Sequence, residues 1–177
     1  MEGLCGAVVW AVVPYVPQAP FFLYRADAEP LEVPDAAPFF AAARRGEAEF
    51  RFLVRGKARP VLILAECRDA RIDELLALRL VRLAELTRAT RAAAAAGDDE
   101  ALFPVPAERA PGLREPFAVM IAAPVRVHST ALDAENVLGR LAPDELRAVH
   151  GRFARFHRLD VLEAVREELR RRRAGGP

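Results

Sequence analysis

Apolar runs broken by prolines fill the first two thirds of the chain, and apolar residues at helical spacing fill its end. Gly6 to Tyr15 (GAVVWAVVPY) is a short run rich in valine, stopped by Pro14 and Pro17, which predicts a buried strand. From Val16 to about Gly56 the prolines at 17, 20, 30, 34 and 38 forbid a long regular element. Within that stretch, Phe39 to Arg45 can form one helical turn or two, and the alternation of Glu49 to Val54 (EFRFLV) fits a strand. Arg59 to Leu64 reads RPVLIL. A proline can begin a strand but not sit within a sheet, so a central strand is expected from about Val61.

Leu75 to Arg82 fits either an alternating strand or a leucine-rich helix. The strand is preferred because Leu76, Leu78 and Leu80 alternate with Ala77, Arg79 and Val81. Thr87 to Ala101 reads as a short helix that ends at Gly97-Asp98-Asp99, and Ala101 to Pro106 as a short extended piece. Phe117 to His128 (FAVMIAAPVRVH) predicts a strand pair or one strand bent at Pro124. After a turn at Leu138-Gly139-Arg140-Leu141, Pro143 marks a helix start, with Asp144 and Glu145 where the helix dipole favours acids. Leu146, Val149, Phe153 and Phe156, then Leu159, Leu162, Val165 and Leu169, keep helical spacing. Helices are therefore expected over 143–173.

The fold class expected is mostly β with C-terminal α-helices, in a single domain over 1–177. The length and an apolar fraction of 53% suffice for one core. A net charge of +1 does not mark a nucleic-acid binder, so any RNA site has to be a local patch. Lys57 is the only lysine, and the arginine abundance fits coding bias as well as phosphate binding. The apolar stretch Ala7 to Val13 is too short to span a membrane and lacks a preceding basic region, so a cytoplasmic protein with no membrane partner is expected. Cys5 and Cys67 have no metal spacing and read as buried free thiols.

Three stretches, in order, resemble the PemK/MazF toxins. They are Gly6 to Pro14, with Val-Val-Trp after a glycine; Arg59-Pro60 followed by Val61-Leu62-Ile63-Leu64; and Val125-Arg126-Val127-His128-Ser129, followed by Leu132, Gly139, Leu141 and Leu146. Together they cover about half the chain. The resemblance implies a small closed SH3-like β-barrel, homodimerisation and an acidic antitoxin partner. It also implies metal-independent cleavage of single-stranded RNA, with no cofactor. Residues 16–57 are then an enlarged loop insertion between the first and second core strands.

Such cleavage needs a base for the 2′-hydroxyl, an acid for the leaving oxygen and a cation for the phosphorane. Arg59 matches the family's catalytic arginine; a solvated arginine flanking a strand is the plainer alternative. Arg126 and His128, two apart on a strand, share a side and pair a guanidinium with an imidazole. The family places no catalytic histidine at His128, and the residues could equally be a surface strand face. Positions at which family members carry a hydroxyl, an arginine and an aspartate correspond here to about Val81, Ile121 and Ala123, which are inert; Arg79 is the candidate substitute. The alternative function is a barrel that has lost catalysis and binds protein or nucleic acid. His150 and His157 share a helical face but stand two turns apart, about 10 Å, too far for one metal ion, and no metal site is expected. Arg170 to Arg173 read as a solvated helix end. Trp10 and Tyr15 could stack bases, with core packing preferred for Trp10.

Overall fold

The structure, a computed structural model, describes residues 3–46, 50–66 and 73–159. It divides into two compact units, Met1–Ala11 with Ala58–Pro177, and Val12–Lys57.

The larger unit is built on a mostly antiparallel, strongly curled sheet. Its strands are β1 (Ala7–Pro14), β4 (Gly56–Glu66), β5 (Glu74–Arg82), β6 (Leu102–Val105), β7 (Phe117–His128) and β8 (Gly139–Arg140), in the order β6-β7-β5-β4-β1-β8. The alternating leucines do form a strand, β5. Leu76, Leu78 and Leu80 face one core with Val8, Leu62 and Ile121, whereas Ala77 lies on the opposite face and is also fully buried. Burial on both faces explains why β5 carries so few polar residues. Pro60 does not open its strand as expected. β4 begins at Gly56, but its ladder to β5 runs from Val61↔Arg79 to Glu66↔Leu75, so the residue lacking an N–H falls outside that paired stretch.

β7 is one bent strand. Leu78 pairs with Pro124 and Leu80 with Val119, so residues 120–123 lie opposite Arg79 alone. This bulge takes the strand around Pro124, beyond which, among the described residues, only β5 pairs with it. The expected turn at 138–141 contains β8, which pairs with Ala7 and Val8 of β1. Trp10, expected in the core, is instead exposed (39%), because β1 buries Val8 on that face and then runs past the core.

Among the described residues two α-helices complete this unit. Arg88–Ala96 is capped by the Thr87 hydroxyl, which accepts the Thr90 N–H at 3.2 Å, and it ends at Gly97 with φ 82°. The C-terminal helix Pro143–Phe156 has Glu145 reaching back to the Ala142 N–H at 2.8 Å. The second half of the helical pattern, from 160 on, lies outside the described residues.

The unit Val12–Lys57 contains a hairpin of β2 (Phe21–Leu23) and β3 (Leu31–Val33) and the helix α1 (Ala37–Arg44). Its centre is aromatic: the ring of Phe39 lies 5.4 Å from Phe21, 5.0 Å from Phe50 and 5.2 Å from Phe52, edge-to-face in each case. The strand expected at 49–54 is reduced to a single bridge, Leu23↔Phe52; Glu49 lies outside the described residues.

Candidate functional site

The four arginines and histidines singled out by sequence fall on two faces of one sheet. Directly paired residues in an antiparallel ladder project to the same side, and neighbours along a strand alternate. Arg126 pairs with Leu76 and His128 with Glu74, which places both on the even-numbered face of β5. Arg79 pairs with Val61 and belongs to the odd-numbered face, and Arg59 alternates onto that same face through Val61. The sheet thus brings Arg126 and His128 together and separates them from Arg59 and Arg79.

At the end of the β5–β7 ladder, Arg126 Nη1 lies 3.5 Å from Glu74 Oε2. Their side chains are 80% and 37% exposed, so the pair adds little stability and the guanidinium stays available. The next pair on the same face of the ladder sets His128 opposite the same Glu74. His128 Nδ1 accepts the Thr130 backbone N–H at 3.3 Å and lies 2.8 Å from Thr130 Oγ1, capping the 3-10 turn Ser129–Ala131. Nε2 has no partner among the described residues, so it is the ring atom open to a ligand. Ser129 donates its hydroxyl to the Asp73 carboxylate and its N–H to Asp73 O at 3.0 Å. Its oxygen is therefore committed to holding the turn.

Glu74 is the residue of this cluster that sequence reasoning missed. Only the ladder register, which no spacing in one strand reveals, shows that it faces His128. The chain then passes beside β1: the Asp133 N–H bonds Trp10 O at 2.9 Å, so the segment after the turn runs next to the exposed Trp10.

On the other face Arg59 is half-buried and makes no hydrogen bond or ion pair among the described residues. Arg79 is also half-buried, with its Nε buried and unpartnered beside fully buried Val61 and Ala77. The positions matching the missing family residues are packing positions here. Val81 leans on the small cluster around Ala94 and Leu102, and Ile121 is fully buried.

The remaining candidates are structural. His150 Nε2 lies 3.0 Å from Leu64 O and His157 Nε2 2.9 Å from Ile121 O, so both histidines tether the C-terminal helix to the sheet instead of standing free on its surface. Among the described residues no three His, Cys, Asp or Glu side chains are grouped to hold a metal ion. The free Cys5 thiol donates to Leu64 O at 3.1 Å. Burial pushes its pKa up and the charge of Glu66 adds to the rise, against the opposing pull of Arg140. A thiol held protonated in this way is a poor nucleophile. Cys67 and Arg170 to Arg173 lie outside the described residues. No helix among the described residues is long and apolar enough to cross a membrane.

No protein-family model matches the chain, and no curated protein matches it.

Proposed function

We propose that the chain is a toxin-type, metal-independent endoribonuclease of the PemK/MazF kind, acting on single-stranded RNA in the cytosol. The observation that carries the reading is the cluster of carboxylate, guanidinium and imidazole formed by Glu74, Arg126 and His128 across one strand pair. These are the three groups that metal-free cleavage needs. Glu74 takes the 2′-hydroxyl proton as that oxygen attacks the phosphorus. Arg126 turns from Glu74 to the phosphate and meets the charge of the phosphorane. In its protonated form His128 releases the Thr130 N–H, donates Nδ1–H to Thr130 Oγ1 and gives the Nε2 proton to the departing 5′-oxygen. The products are a cyclic phosphate and a free hydroxyl.

The finer fold belongs to the same proposal: the curled sheet is an SH3-like barrel. Support comes from the seam between its two outer strands. The segment after β6 crosses to β8, with the Gly112 N–H bonded to Leu138 O at 3.0 Å, and a Cβ at Gly139 would stand 2.2 Å from Arg109 O. The proposal extends to homodimerisation, for which the exposed Phe156 and Leu159 offer apolar contact, and to inhibition by an acidic antitoxin. A binding module that has lost catalysis is the second reading, favoured by the division of the four sequence candidates between two faces.

The test is incubation of the purified chain with a long RNA in EDTA. Cleavage that leaves cyclic phosphate ends and is lost in His128→Ala supports the enzyme. Intact RNA at every protein concentration favours the binding module.

A further inference from the structure

Large apolar side chains left outside a folded unit call for something to cover them. In the unit Val12–Lys57, Tyr15, Val16, Phe22, Leu53 and Val54 are all exposed. These five line one hollow of about 340 Å³, between residues 15–22 on one side and 52–55 on the other. That volume lies in the range of roughly 300–1,000 Å³ usual for small-molecule sites. Backbone bonds hold the two sides together: the Leu53 N–H bonds Phe22 O and the Tyr15 N–H bonds Arg55 O, each at 2.8 Å. The rings of Phe21 and Phe52, also in the lining, stand 6.0 Å apart. The hollow is therefore built into the fold of this unit.

Its lining carries one charge. Arg55 is the single ionic residue there; Gln18 and Tyr15 supply the other polar side chains, and the rest are apolar. The Arg55 guanidinium is exposed and makes no hydrogen bond or ion pair among the described residues. It also borders a smaller hollow of about 240 Å³ shared with Phe22, Leu53 and Val54. Ligand classes fit such a lining unequally. A nucleic-acid strand repeats its phosphates and calls for cations along its whole length. A stable protein–protein interface takes about 20–30 residues from each side, well beyond the twelve that line this hollow. One planar guanidinium fork beside an apolar wall matches instead a small molecule with one carboxylate and one aliphatic chain.

We infer that the hollow of Val12–Lys57 binds a small amphiphile, a monocarboxylate with an aliphatic chain of medium length. The chain lies against Val16, Phe22, Leu53 and Val54, where burial of its methylenes drives binding. The carboxylate pairs with the Arg55 guanidinium through two parallel hydrogen bonds. The site lies within one folded unit and does not depend on whether the chain cuts RNA.

The experiment is isothermal titration calorimetry of the full chain with decanoate, held below the concentration at which it forms micelles. Decanol, decylamine and acetate serve as comparisons. The expected result is saturable one-to-one binding of decanoate with a negative heat-capacity change, weaker binding of decanol, and none of decylamine or acetate. Arg55→Gln should weaken decanoate about tenfold or more, the scale of a lost charged hydrogen bond, and leave decanol unchanged. Leu53→Asp should weaken both. Each substitution keeps the backbone groups that hold the hollow together, and melting curves confirm that each variant is folded. Decanol or decylamine binding as tightly as decanoate, decanoate binding unchanged in Arg55→Gln, uptake of many decanoate molecules per chain, or no saturable binding overturns the inference. RNA cleavage in EDTA by the same variants is read separately, so loss of one activity leaves the other reading standing.

Discussion

At the scale of the residue, an ordinary side chain acquires a role through what the register sets beside it. Glu74 and His128 are 54 positions apart in sequence and directly opposite in the β5–β7 ladder, so a scan for local motifs finds His128 and misses its partner. If Glu74 is the base and His128 the acid, Glu74→Gln and His128→Ala should each lower RNA cleavage by about 100-fold or more. Cleavage near the parent rate in both variants places the proton transfers elsewhere. Cys5 gives a second prediction. Its raised pKa, caused first by burial and then by Glu66, means less thiolate than an ordinary cysteine at neutral pH. In a Cys67→Ser background, alkylation of Cys5 should therefore be slower than that of a free thiol at pH 7, and should accelerate at a higher pH than a free thiol does. Gly139 was legible as a turn residue, but the reason for it was not: a Cβ there would run into Arg109 O and into Ala110 Cα at 2.4 Å. Gly139→Ala should cost about 1–3 kcal/mol in urea denaturation, the usual scale of overpacking.

At the scale of the element, the sequence was most readable where periodicity and burial agreed. β1, the core of β4, and β5 follow from valine and leucine spacing, and the C-terminal helix start follows from Pro143, Asp144 and Glu145. Readability failed where a tertiary partner overrides the local pattern. Residues 49–54 alternate like a strand, yet Phe52 turns into the ring cluster with Phe21 and Phe39, and among the described residues only one bridge forms. Trp10 belongs to an apolar run whose core ends before it does. Pro124 announced a bend but not that four residues would lie opposite one. Arg152 gave no sequence signal at all. Its guanidinium donates to Asp99 O at 3.1 Å and Leu102 O at 2.5 Å, and sits 5.5 Å from the Phe103 ring, so it fastens the C-terminal helix to β6. Arg152→Met keeps the apolar stem but takes the guanidinium donors from both carbonyls, leaving Asp99 O with the Leu102 N–H at 3.3 Å. It should lower stability by about 1–3 kcal/mol, seen as a reduced denaturation midpoint at unchanged slope.

At the scale of the whole molecule, a near-zero net charge conceals local asymmetry, and one sheet presents two separate sets of cations. Sequence order alone could not divide them, because Arg59, Arg79, Arg126 and His128 become two pairs only through the ladders Val61↔Arg79 and Leu76↔Arg126. The resemblance points to Arg59 and the geometry to Arg126, so the two faces make opposite forecasts for the same assay. If the even-numbered face of β5 reacts, Arg126→Ala should lower cleavage by about 100-fold, the scale of losing one group that stabilises developing charge. Arg126→Lys should recover little, since a point charge does not reproduce the planar fork. Arg59→Ala should then leave the rate within a few-fold of the parent. Both residues lie at least partly exposed, so each substitution should cost under about 1 kcal/mol of stability, and matched melting curves separate lost chemistry from lost fold. A collapse of cleavage in Arg59→Ala, with Arg126→Ala near the parent rate, moves the reacting centre to the odd-numbered face. There Arg79, with its unpartnered Nε, becomes the next residue to substitute. Equal and large losses in both would mean that RNA contacts both faces of the sheet. Single-turnover rates measured against RNA concentration would then assign one arginine to binding and the other to the chemical step.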